Sequence, residues 1–100
     1  MAKVWESYNR LLVETYYAVK AGKSSKIHVR PVAGYGYDQG ADVECSRTMR
    51  LSAPIGSKFY VYGKLTDREG GRDYYYSHHS WPMELVERAD GPMPKSIKSP

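Results

Sequence analysis

Cysteine is nearly absent from this 100-residue chain: Cys45 stands alone, so no internal disulfide can form and stability has to come from packing. Long apolar runs are missing too, and the opening MAKVWESYNR is charged where a signal peptide needs its hydrophobic segment. These two absences lead us to expect a soluble, cytoplasmic protein with no membrane partner. No CxxC and no HExxH occurs, and the only histidines are His28, His78 and His79, so no metal site is expected. The glycines of AGYGYDQGAD fit neither glycine-rich phosphate fingerprint, and no Lys-Ser or Lys-Thr pair follows them, which discards a nucleotide loop. No cofactor is expected on these grounds. No internal repeat occurs, and the length allows one core but no second lobe to close an interdomain cleft.

A strongly basic block is the last absence. The formal charge is +4, yet it is spread thinly, as +2 over residues 1–25, +1 over 26–57, 0 over 58–88 and +1 over 89–100. Binding to a polyanion would therefore need a patch assembled by the fold. What the chain does have in abundance is tyrosine, ten residues against a single phenylalanine.

The first segment, KVWESYNRLLVETYYAVKAG, has a clear helical period and is expected to form a helix. At a helical period Val4, Trp5, Tyr8, Leu11, Leu12, Tyr16 and Val19 fall on one arc of roughly 140°, opposite Lys3, Glu6, Arg10 and Glu14. Gly22 reads as its stop. Val13 and Tyr17 lie off the arc, one turn apart, and either widen the buried face or offer a patch to a partner.

Beyond Gly22 the period falls to two. In KIHVRPV, Ile27, Val29 and Pro31 alternate with Lys26, His28 and Arg30, and the proline restricts this strand to an edge or ends it. DVECSR gives a second short strand with Val43 and Cys45 inward, the thiol reading as a small buried hydrophobe. In KFYVYGKLT, Phe59, Val61, Gly63 and Leu65 share one face, and Tyr60, Tyr62, Lys64 and Thr66 the other. TDREGG is turn chemistry, so RDYYYSHHS is expected to return antiparallel, with PMELVER as a further strand.

The expected fold is therefore α+β: an amino-terminal amphipathic helix followed by about five short antiparallel strands in a strongly bent sheet or small barrel, over residues 1–88, with a mobile tail over 89–100. Its element order resembles that of Sm-like barrels, with SH3 and OB barrels similar in shape. None of the signature residues of the Sm family is present, so the likeness is one of shape and carries no function.

Function turns on RDYYYSHHSW. If it is a strand throughout, His78 and His79 point to opposite faces, and Asp73 lies too far along the strand from His79 to orient it. That arrangement makes no local triad, and an enzyme is the less favoured reading. Binding fits better. Pairing of the 58–80 hairpin sets Tyr60 and Tyr62 beside Tyr74 and Tyr76 on the outer face, with Lys64, Arg72 and His78 close by. Flat rings interleaved with positive charge suit a nucleic acid, stacking bases and holding phosphates. The same face equally suits a planar small ligand, or burial against a second copy in a homo-oligomer. Tyr35 and Tyr37, flanked by glycines in a loop, either close the barrel mouth or reach a ligand, and Arg47 and Arg50 extend the basic edge.

Overall fold

A computed structural model describes residues 7–22, 25–66 and 73–94. Strands dominate them: β1 (Asn9–Tyr17), β2 (Ile27–Pro31), β3 (Val43–Glu44), β4 (Lys58–Thr66), β5 (Tyr74–Tyr76) and β6 (Met83–Glu87), with a single four-residue helix, α1 (Arg47–Arg50).

The expected amino-terminal helix is corrected by this structure. Residues 9–17 form the long strand β1, hydrogen-bonded along both edges, to β2 and to β4. The segment carries a strand period that its helical arc masks: Leu11, Val13 and Thr15 are buried, while Arg10, Glu14 and Tyr16 alternate with them on the other face. Leu12 breaks the contrast because it too is buried, at 8% exposure, and a strand covered on both faces loses its clean alternation. Its β-branched and aromatic residues favour an extended backbone, and partners on both sides decide the outcome. Val13, off the helical arc, sits fully buried in the core, and the fold is mainly β rather than α+β.

The six strands make one sheet in the order β2-β1-β4-β5-β3, with β6 also on β4. All ladders are antiparallel except that between β3 and β5. The two ends of the order, β2 and β3, pack side by side without a ladder, so the sheet curls into a nearly closed barrel. Its interior is filled by Leu11, Val13, Val29, Val43, Met49, Phe59, Val61 and Tyr75, among others.

Gly63 belongs to this packing. A Cβ there would meet Leu11 Cδ1 at 2.6 Å and Tyr75 Cβ at 3.3 Å, so β1, β4 and β5 come together only over a bare backbone. At the seam, Ser46 caps α1 by accepting from the Met49 N–H, and Arg50 Nη1 donates to Ser25 Oγ and to the Ile27 carbonyl, both at 2.9 Å. Residues 89–94, at the start of the expected tail, lie against the 54–57 turn. Ala89 N donates to Ser57 Oγ at 3.0 Å, and Ile55 N donates to the Pro92 carbonyl at 2.9 Å. Residues 95–100 lie outside the described residues.

Candidate functional site

Register fixes what the outer face displays. β4 turns Phe59 and Val61 into the core, which sends Tyr60, Tyr62 and Lys64 outward. Across its ladders Arg10 is opposite Tyr62, Glu84 opposite Tyr60, Tyr76 opposite Lys64 and Tyr74 opposite Thr66. Directly opposed residues share a face. Five of the nine expected binding residues, Tyr60, Tyr62, Lys64, Tyr74 and Tyr76, therefore stand together. Leu65, expected inward, is 53% exposed, although Tyr75 directly opposite it is buried.

The strand expected over residues 72–80 is shorter. It stops at Tyr76, the chain leaves the ladder through residues 77–82, and β6 resumes pairing with β4 from Met83. His78 and His79 consequently do not point to opposite faces. They lie in a turn closed by Trp81 N donating to the His78 carbonyl at 3.0 Å, and their rings stack 4.2 Å apart. His78 Nδ1 accepts from the Ser80 N–H at 3.1 Å, with Ser80 Oγ 2.7 Å away, which fixes the imidazole plane.

That turn completes a chain of ring contacts. Tyr8 meets Trp81 at 5.3 Å between centroids, Trp81 meets Tyr76 edge-to-face at 5.8 Å and His78 at 5.9 Å, and His78 continues to His79. Cations sit among them: Lys64 Nζ is 5.8 Å from the Tyr8 ring, and the Arg10 guanidinium lies 4.0 Å above Tyr60 while Nη2 donates to Glu84 Oε2 at 3.1 Å. A shallow pocket of about 130 Å³ opens beside Tyr60 and Tyr62, bounded by Arg10, Pro82 and Met83. We refer to the whole as the aromatic strip.

Tyr8, Arg10, His79 and Trp81 are members that sequence reasoning left out. Trp81 closes the very stretch that drew attention, Arg10 emerges only once residues 9–17 are read at a period of two, and Tyr8 lies just before that strand. Tyr37 instead turns inward and meets Tyr75 edge-to-face at 5.7 Å, as a packing residue. Tyr35 is 59% exposed, and among the described residues no ring contact joins it to the strip. Arg72 lies outside the described residues.

Two further hollows flank the barrel seam. One, of about 230 Å³, is lined by Ser25, His28, Asp42, Glu44, Cys45 and Arg50. Burial there pushes the Cys45 thiol up to about 12, which removes it as a nucleophile near neutral pH. Burial likewise lowers His28, whose Nε2–H donates to the Ala18 carbonyl at 3.0 Å. The other, a cleft of about 340 Å³, runs from Cys45 and Arg47 past Arg50 to Tyr76 and His79. Among the described residues no three of His, Cys, Asp and Glu gather as metal ligands. No helix among them is long and apolar enough to cross a membrane. Comparison with family models, with curated proteins and with solved structures finds no match for this chain, which leaves its own geometry to argue function.

Proposed function

We propose that the protein is a non-enzymatic binding module whose aromatic strip takes a single-stranded nucleic acid. The observation that supports this reading is the run of contacting rings, Tyr8, Trp81, Tyr76, His78 and His79, set beside Tyr60, Tyr62, Lys64 and Arg10 on one face. Sequence-tolerant single-strand binders combine such stacking surfaces with cations that follow the backbone. The strip is also wide and open rather than a deep pocket, which suits an extended ligand better than a small one.

Fluorescence anisotropy with labelled single-stranded oligonucleotides, at about 50 and about 200 mM salt, tests the reading. Saturable binding that weakens with salt is expected. Tyr62→Ala, which removes a half-buried ring from the strip, should weaken it further by about 1–3 kcal/mol, the worth of one base stack. Absence of binding at the lower salt to every oligonucleotide tried refutes it.

A second reading rests on β6. Met83, Leu85 and Val86 are 42–48% exposed on a strand that pairs only with β4 among the described residues, a surface suited to a second copy of the chain. Sedimentation equilibrium decides this one: a monomer across the accessible concentration range removes it.

A further inference from the structure

The aromatic strip does not end at His79. Tyr76 and His79 also line the cleft of about 340 Å³, together with Arg47, Arg50 and Cys45. Two residues thus border both features, and two arginines line the cleft with them.

The charges in that hollow favour an anion. Arg47 is exposed, and its side chain makes no hydrogen bond or ion pair with any described residue. Arg50 is held by Ser25 Oγ and the Ile27 carbonyl through Nη1 alone, and its buried Nε–H has no acceptor. Glu44 is the one carboxylate on the lining, so the two guanidinium groups leave a net positive charge. The exposed Arg47 guanidinium, unpaired among the described residues beside this cleft, is suited to the oxygens of a phosphate.

We infer that this cleft is a phosphate site, and that a nucleic-acid strand lying on the strip turns its backbone into it at Tyr76 and His79. The direction of the strand rests on the reading of the strip given above; the phosphate site rests on the cleft alone. Bases then stack over Tyr76, Trp81 and Tyr62, and the phosphate beside them meets Arg47.

Two measurements on the full chain test this. The first is a titration with pyrophosphate, followed by amide ¹H–¹⁵N shifts at constant ionic strength with chloride as the control. Saturable shifts of Arg47, Arg50 and His79, absent with chloride, are expected. The second is the salt dependence of oligonucleotide affinity in the wild type, in Arg47→Gln and in Tyr62→Ala. Arg47→Gln should weaken binding alike for all sequences and reduce the slope of log K against log salt by about 0.7, the loss of one single-strand phosphate contact. Arg47 is chosen over Arg50 because Arg50 also holds β2, and an unchanged melting temperature verifies that Arg47→Gln is folded.

If Tyr62→Ala weakens binding while Arg47→Gln leaves affinity and slope unchanged, and pyrophosphate moves no cleft resonance, the strip stands and the phosphate site is overturned. Cleft resonances that move with pyrophosphate while no oligonucleotide binds would uphold the phosphate site and sink the strip.

Discussion

At the residue scale the clearest constraint is Gly63. Any side chain there drives into Leu11 Cδ1, on a fully buried residue, and crowds the Tyr75 Cβ as well. Gly63→Ala should cost about 1–3 kcal/mol, the range for overpacking a filled core, and urea unfolding would measure it. Cys45 makes a chemical prediction. A thiol pushed up to about 12 stays protonated, so a thiol-specific reagent should label it slowly at about pH 8 in the native protein and rapidly in denaturant. His28 makes a titration prediction with a definite sign. Its folded pKa lies below the ordinary 6.5, chiefly through burial, so below 6.5 the unfolded chain binds the proton more readily. The stabilisation is whole above 6.5 and is lost as pH falls through the depressed folded value. Between about pH 7.5 and 5.5 the melting temperature should therefore fall less in His28→Gln than in the wild type.

At the scale of elements, β4 organises the molecule. It pairs with β1 through Lys58–Gly63, with β6 through Lys58–Val61 and with β5 through Lys64–Thr66. Amides of β1 and β4 should exchange with solvent most slowly and those of β6, exposed throughout, fastest, as a hydrogen-exchange time course would report. β4 was also the element most readable from sequence, because one of its faces is core and the other is not: Phe59 and Val61 against Tyr60 and Tyr62 leave an unmistakable period. β1 was not readable for the opposite reason. Leu12 covers its second face, and Tyr8, Leu11, Leu12, Tyr16 and Val19 happen to satisfy a helical arc, so only the pairing partners on either side reveal the strand. The site divides in the same way. Tyr60, Tyr62, Lys64 and Tyr76 followed from alternation along a hairpin, whereas Trp81 and His79 depend on where β5 ends, which Tyr-Tyr-Tyr-Ser-His-His does not mark. α1 was missed altogether, although Ser46 carried the signal as a capping residue.

For the molecule as a whole, the tail segment adds a constraint beyond the barrel. Gly91 lies against the Ile55 carbonyl, and a Cβ there would fall 2.5 Å from that oxygen. Gly91→Ala should release residues 89–94 from the 54–57 turn, and the Ala89 amide, no longer donating to Ser57, should lose its exchange protection while β1 and β4 keep theirs. The barrel as a whole is bound together unevenly. Every neighbouring pair in the sheet is joined by a ladder except β2 and β3, which pack together without one, and Arg50 on α1, the helix that follows β3, donates to Ser25 and to the β2 residue Ile27. The closure there is made by side chains: Arg50 reaches β2 from the same short helix that carries Arg47, and the Lys20–Asp42 ion pair ties the segment just after β1 to the residue before β3, so the seam is held by charge where the rest of the barrel is held by backbone bonds.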